Sequence, residues 1–552
     1  MPTVSESTLV LPYHAPIPLT SLPLVFHRDH LFPYTSYGDT RAKAVPRELT
    51  VLVLENDQVK VTVCPDLGGR VMSYFDKSSA RELLFANPVI KPVRILPVWA
   101  FISGGIEFNF PIAHSPTSIH PVGFSTGMCL TPDGEYTFIR VGEREARTGM
   151  EWVVELGLLE DNPTLIQRTA LRNPTTRDHP WMMWTNCAVP STPETEFVYP
   201  AGPALRHDRS LTRIHWPEDG SDWEKNIRQM TGFFWMPGTE SHFGVFHHDT
   251  HSGLIHLADP SRVPGKKLWT YGPGPDSAWA RASTDGILSY CEIQSGPLGD
   301  QNQKPPFPAG GEIRFEEYWL PARDRAEFNN ARLPGFSLPD WWTQDPWLGH
   351  AHSAWQRAWE TFRTGTGPLP ASPVPTGIEL EHALRAAGAD AAEPLALWLI
   401  ARDRAAEALP LVENHASPGA RRLAGLICWK TLKDPQRAAA QLRHGPLNDP
   451  VAIAELDEVL ALLGQTEERQ NLLAAAPGHR LVTERRANLA LTLGEPEVTL
   501  DLLLGTTWPL EHQRYARSEL WHKACLAIGR DPQIPASLGE DALAGFGAYW
   551  SE

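Results

Sequence analysis

The sequence predicts a multidomain protein: a large all-β sandwich followed by an all-α solenoid of helical hairpins. Three observations carry this expectation. The chain has 552 residues, more than one hydrophobic core usually organises, so at least two domains are expected. Residues 48–322 are written in short runs of alternating apolar and polar residues separated by Gly, Pro, Asn and Asp, the pattern of strands and turns. From residue 376 the apolar period changes to i, i+3, i+4, and Ala, Leu and Arg dominate.

Residues 1–47 form an extension expected to pack on the β domain. In 48–322, runs such as "LTVLVLEND", "VKVTVCPDLGG", "EYTFIRVGE", "MEWVVELGLLEDN" and "EIRFEEYWLPA" read as successive strands of one sandwich. Residues 323–375 hold one connecting helix, Ala351 to Phe362, and then a Pro-rich linker. Trp355 and Trp359 are four apart and share a helix face, which is expected to pack back on the β domain. In 376–552 the segments "LIARDRAAEALPLV", "KTLKDPQRAAAQLR", "ALLGQTEERQNLLA" and "LTLGEPEVTLDLLL" recur at intervals of about 31 residues. Each places a polar turn between two short helices, as stacked helical hairpins require.

Composition narrows the function classes. A net charge of −16 argues against a nucleic-acid or anionic-membrane partner, either of which selects clustered Lys and Arg. The N-terminal stretch lacks a basic region and is broken by prolines, and no run approaches the ~20 apolar residues of a membrane span. A cytoplasmic protein is expected. Six cysteines are spread along the chain with no metal-like spacing, so buried thiols are expected. No dinucleotide fingerprint, Walker A sequence or G-x-S-x-G elbow occurs. No cofactor and no metal is expected. The histidines of "HFGVFHHDTHSGLIH" are read as turn residues.

Two strands carry the candidate chemistry. In "YCEIQSG", Cys291 and Ile293 share one face and Tyr290, Glu292 and Gln294 the other. In "GGIEFNFP", Ile106, Phe108 and Phe110 share one face and Glu107 and Asn109 the other. A polar face offering carboxylates and amides suits a sugar, whose hydroxyls need both donors and acceptors. The alternative is an ordinary solvent-facing strand. Most of the 20 tryptophans are expected in cores, with Trp269 of "KKLWTYG" a candidate stacking platform. His114 and His120 follow the Glu107 strand in a loop.

The stretch "YCEIQSGPLGDQNQ" resembles the late strand of aldose 1-epimerases, and "VTVCPDLGGRVMSYFDKSSARELLF", which contains Arg70, resembles their early hairpin. The whole chain resembles an uncharacterised bacterial family, a domain of unknown function. There a galactose mutarotase-like supersandwich with "GG-E-NFP" and "EIQ-G…NQ" motifs precedes tetratricopeptide-like helices. The resemblance implies that Glu292 is the general base at the anomeric hydroxyl, that Gln294 and one of Asn302 or Gln303 accompany it, and that a histidine protonates the ring oxygen. The epimerases' "N-H-x-H-G-G" context is missing here, which leaves His120 or His114 for that role. The expected catalytic set is Glu292, Glu107 and His120, with Asn109, His114, Tyr290, Gln294, Trp269 and Arg70 holding the substrate. Its partner is a mono- or oligosaccharide, with a protein partner or self-association through the helical repeats. Two alternatives stay open: a glycoside hydrolase with Glu107 and Glu292 as its carboxylate pair, and a non-catalytic sugar-binding scaffold.

Overall fold

The computed structural model describes the chain except for residues 18–24, 28–29, 33, 35–36, 38, 97–98, 113, 115, 146, 209, 229, 271–282, 286–288, 343–353, 371–377, 509–512, 540 and 542–552. Its principal strands are β1 (Thr3–Tyr13), β2 (Val45–Glu55), β3 (Val59–Cys64), β4 (Arg70–Asp76), β5 (Ile106–Asn109), β6 (Gly123–Thr131), β7 (Gly134–Arg144), β8 (Glu151–Leu159), β9 (Leu165–Arg172), β10 (Trp184–Pro190), β11 (Thr195–Val198), β12 (Gly202–Arg206), β13 (Arg213–Trp216), β14 (Thr231–Trp235), β15 (His242–His247), β16 (Ser252–Ala258), β17 (Gly265–Thr270), β18 (Tyr290–Gly296) and β19 (Glu312–Ala322).

They form two large antiparallel sheets. The first has the order β1-β2-β3-β4-β5-β10-β18-β17-β14-β12-β13, and the second β6-β7-β8-β9-β19-β16-β15-β11. Between them lies the main core. Val61, Val71, Ile106, Phe108, Cys187, Cys291 and Ile293 from the first sheet meet Trp152, Val154, Leu156, Phe243 and Trp319 from the second. The inward residues of "GGIEFNFP" and "YCEIQSG" are those that the two-residue period selects. The six cysteines are free, five of them buried and Cys129 partly so. Part of the N-terminal extension is a strand of the first sheet. β1 pairs with β2 along eleven residues, from Thr3 opposite Glu55 to Tyr13 opposite Val45.

Helices follow: α1 (Ala354–Arg363), α2 (Ile378–Ala386), α3 (Ala392–Ile400), α4 (Ala405–Val412), α5 (Pro418–Leu426), α6 (Pro435–Leu442), α7 (Pro450–Leu462), α8 (Thr466–Ala475), α9 (Arg480–Thr492), α10 (Pro496–Leu504) and α11 (Gln513–Ala527). Pairs α3/α4, α5/α6, α7/α8 and α9/α10 pack as successive hairpins. Several begin with proline at the first helical turn behind a capping side chain, as at Ser417, Asp434 and Asp449, where the missing proline N–H costs no hydrogen bond. No described helix is long and apolar enough to cross a membrane.

The connecting helix corrects one expectation. Trp359 of α1 is buried among Leu380, Leu384, Leu395 and Trp398, the core of the helical half and not the β domain. The side chain of Trp355 lies outside the described residues. The reason is local: α1 and α2 pack as the first hairpin of the helical stack, so the indole meets the face that the next helices present.

Candidate functional site

The outer face of the first sheet carries the candidate site. Gly104 and Gly105 have φ of 103° and 69°, a left-handed conformation that costs glycine little. A Cβ on Gly105 would stand 2.1 Å from the Val71 carbonyl oxygen. The pair turns the chain into β5 and aims the Gly104 carbonyl at Arg70, whose Nη1 donates to it at 2.5 Å.

Glu107 follows immediately. Pairing places Glu107 opposite Asn186, Asn186 opposite Gln294, and Gln294 opposite Lys267, so one polar row crosses four strands. The next row holds Ala188, Glu292 and Trp269 and, opposite Trp269, Gly232. A Cβ on Gly232 would sit 2.3 Å from the Trp269 ring, so that glycine is what lets the indole lie over β14. Glu107 and Glu292 share this face two strands apart and one row out of register, with Cα atoms roughly 12 Å apart by strand geometry.

These polar groups are not solvent-facing. Arg70, Glu107, Asn109, Asn186, Lys267, Glu292 and Gln294 are each at most 4% exposed. A buried aromatic group of Phe85, Phe101, Trp269 and Tyr290, with Ala188, continues the face. Tyr290 stacks on Phe85 at 4.6 Å and its hydroxyl lies 2.7 Å from Ser103 Oγ. Burying so many charges is costly unless they are paired or used.

The Glu107 carboxylate is heavily anchored. Arg70 Nη2 donates to Oε1 at 3.3 Å. Asn109 Nδ2 and Asn186 Nδ2 donate to Oε2 at 3.1 and 3.2 Å, and His114 Nδ1 stands 3.8 Å from Oε2. Burial alone would raise this acid. The His114 and Arg70 charges and the Asn109 amide outweigh burial and hold it at about 2. Glu107 is therefore a fixed anion. His114 reaches it from a backbone φ of 50°, uncommon for a residue other than glycine and typical of positions fixed by their surroundings.

Glu292 sits in a different setting. Gln294 Nε2 donates to its Oε2 at 2.7 Å, Gln301 Nε2 donates to Gln294 Oε1 at 2.9 Å, and Lys267 Nζ donates to Gln301 Oε1 at 2.6 Å. Burial pushes the Lys267 ammonium down to about 7, against the raising pull of Glu292. Lys267 Nζ lies about as far from the Phe234 and Trp269 ring centroids, 5.1 and 5.0 Å. His207 packs on the same two rings at 4.8 and 5.2 Å. Burial, with the Lys267 and His114 charges, drives its imidazole well below the usual range.

Among the described residues, Arg70 Nε and Asn186 Oδ1 are buried on this face without a hydrogen-bond partner. The Lys267 ammonium donates one hydrogen bond, to Gln301, and keeps N–H capacity in reserve. The arrangement can donate to and accept from a polyhydroxylated ligand, and it sets a carboxylate and an ammonium on the same side of that ligand.

A family model for a domain of unknown function, DUF5107, matches residues 27–321, more than half of the chain. The chain belongs to the DUF5107 family. A second family model, for a C-terminal domain, matches residues 375–524. The crystal structure of a TPR-domain containing protein from Parabacteroides distasonis is 31% identical, covers 98% of each chain and superposes with a TM-score of 0.86. Galactose mutarotase-like proteins from Clostridium acetobutylicum and Lactobacillus casei are 8% and 11% identical. They cover 50% and 49% of this chain and 95% and 99% of their own, with TM-scores of 0.37 and 0.35.

In this DUF5107 chain the fold gathers most of the expected set on one face: Arg70, Glu107, Asn109, His114, Trp269, Tyr290, Glu292 and Gln294. The His120 ring stacks on Tyr34 at a centroid distance of 6.2 Å, and burial with the Arg47 charge pushes it down to about 4. It is neutral near pH 7, and His114 is the histidine that meets Glu107. Gln301, not Asn302 or Gln303, accompanies Gln294. The latter two hold the exposed Asp300 carboxylate through the Asn302 N–H and Gln303 Nε2. The histidines of 242–256 disperse, with His247 on Thr195, His248 on Glu196 and His256 on Glu317. Among the described residues no cluster of His, Cys, Asp or Glu could hold a metal ion. Asn186, His207, Lys267 and Gln301 join this face from outside the expected set. Lys267 was legible, since period two places it on the Trp269 face of "KKLWT". The other three depend on strand pairing or on loops.

Proposed function

We propose that the outer face of the first sheet binds an aldose and interconverts its anomers, with Glu292 as the general base that takes the proton of the anomeric hydroxyl. The observation that carries this reading is the buried, mixed set of unpartnered donors and acceptors around the two carboxylates. Arg70 Nε and the spare Lys267 N–H groups can donate, and Asn186 Oδ1 can accept. A purely structural polar network would satisfy its members internally. Trp269, 7% exposed at the edge of the polar face, supplies an apolar surface for the sugar ring.

Glycoside hydrolysis by a Glu107–Glu292 pair is the second reading; with Glu107 held ionised by its partners, Glu292 would have to be its protonated acid, the opposite of the base role proposed above. The role of Glu107 here is to fix hydroxyl groups and to balance Arg70 and His114. The helical repeats are assigned to a protein partner or a second copy of the chain, in keeping with the use of such stacks as extended binding surfaces.

The test is Glu292→Gln, assayed for anomer interconversion on a panel of monosaccharides and for cleavage of aryl glycosides. Interconversion is expected to fall by about 10²–10⁴-fold, the usual contribution of a positioned acid or base. Undiminished rates on an active substrate would overturn the proposal. Loss of glycoside cleavage instead of interconversion would select hydrolysis.

A further inference from the structure

We infer that Lys267 is the proton donor to the ring oxygen, acting opposite Glu292. The inference rests on the anomer-interconversion reading above. It starts from placement: Lys267 on β17 and Glu292 on β18 are diagonal neighbours on one sheet face, about 7–8 Å apart at Cα. A ligand spanning that gap meets an ammonium from one strand and a carboxylate from the next. Lys267 is 4% exposed, and it donates a hydrogen bond to the neutral Gln301 amide. A buried ammonium bound only to an amide retains donors for a ligand.

The surroundings set the protonation state. Glu292 faces Lys267 from β18 and favours the ammonium. His207 faces it across the Phe234 and Trp269 rings and is held neutral. Lys304 reaches the Gln301 backbone carbonyl at 2.6 Å. β14 contributes the Phe234 ring, β17 the Trp269 ring, and β18 the Gln294 amide beside Glu292. An ammonium brought to about 7 by burial is matched to proton transfer near neutral pH in both directions.

In the step, the Glu292 carboxylate takes the proton of the anomeric hydroxyl as the C1=O1 bond forms. The C1–O5 bond breaks, its electron pair passes to O5, and the Lys267 ammonium gives O5 a proton. After rotation about C1–C2 the O5 hydroxyl attacks the other face of C1, returns its proton to the Lys267 amine, and O1 recovers a proton from Glu292. Both residues end as they began.

Lys267→Met and Lys267→Arg test this in the full-length chain, with Glu292→Gln measured beside them and folding followed by thermal melting. The wild-type kcat/KM is expected to fall on the alkaline side with an apparent pKa near 7. Lys267→Met loses about 10²–10⁴-fold in kcat together with that alkaline limb. Lys267→Arg keeps the cation and a KM within a few-fold of wild type but loses kcat similarly, because a guanidinium does not release its proton at neutral pH. If Glu292→Gln is inactive while either folded Lys267 variant keeps kcat within threefold and retains the limb, the Lys267 role is overturned and the anomer reading stands. If the wild-type chain interconverts no aldose in the panel, both fall. Should Lys267→Met fail to fold, Lys267→Arg alone decides.

Discussion

At the scale of single residues, Glu107 makes a prediction that separates binding from chemistry. Its folded pKa is depressed to about 2, against about 4.3 in an unfolded chain. A carboxylate depressed on folding stabilises the protein fully above the unfolded value and loses that contribution as pH falls from about 4.5 toward 2. The shift corresponds to on the order of 3 kcal/mol. Urea unfolding of wild type should therefore weaken steeply between pH 5 and pH 3, while Glu107→Gln, already lacking the charge, should show a flatter profile in that window. Equal slopes would mean that Glu107 is not the anchored anion described here. Under the proposed function, KM of the same variant should rise more than tenfold with a smaller change in kcat, as expected of a carboxylate that fixes hydroxyls without carrying the transferred proton. The histidines show why residue-level reading stops at loops. His114 and His120 follow the same strand, and only the left-handed backbone at His114 brings its ring to Glu107. No periodicity encodes that turn.

Elements were legible wherever one strand obeyed its own period. Alternation alone separated Cys291 and Ile293 from Tyr290, Glu292 and Gln294, and Ile106 and Phe108 from Glu107 and Asn109. What it could not show is the strand between them. β10 lies roughly 80 residues from β5 and 100 from β18 along the chain, and its Asn186 completes the polar row only through pairing that is non-local. The choice of Gln301 over its two neighbours is likewise a matter of loop geometry. The "GG" before β5 is the local element on which the site depends most. Gly105→Ala must adopt a φ of 69° and place a Cβ 2.1 Å from a backbone oxygen that has no flexible end to yield. It is expected to destabilise the chain by more than about 1–2 kcal/mol and to displace the Gly104 carbonyl from Arg70, lowering sugar affinity as well. Gly202, where no heavy atom lies within 4 Å of an added Cβ, is the control: its alanine variant carries the backbone strain without the clash and should leave sugar affinity unchanged. A Gly105→Ala variant as stable and as tight-binding as wild type would contradict the described turn.

At the scale of the whole molecule the chain has two separate large cores, one between the sheets and one among the helices. Among the described residues the halves meet at the turn joining α3 and α4, where Arg147 Nη2 lies 3.4 Å from Asp403 Oδ1 and Arg177 Nη1 donates to the Arg402 carbonyl at 3.4 Å. Asp403 is half exposed and these two contacts are long, so each contributes little to stability. The two halves are thus expected to unfold in separable steps. Trp359 discriminates, because its indole belongs to the helical core although the chain reaches it before the Pro-rich linker. Trp359→Ala should cost the helical half about 3–5 kcal/mol, the usual price of removing a buried tryptophan, and leave the β half untouched. Calorimetry should show one transition moving to lower temperature while the other stays, with sugar turnover unchanged below both. A single transition that shifts as a whole, or loss of turnover without unfolding, would place α1 against the β domain instead and couple the helical stack to the proposed sugar site.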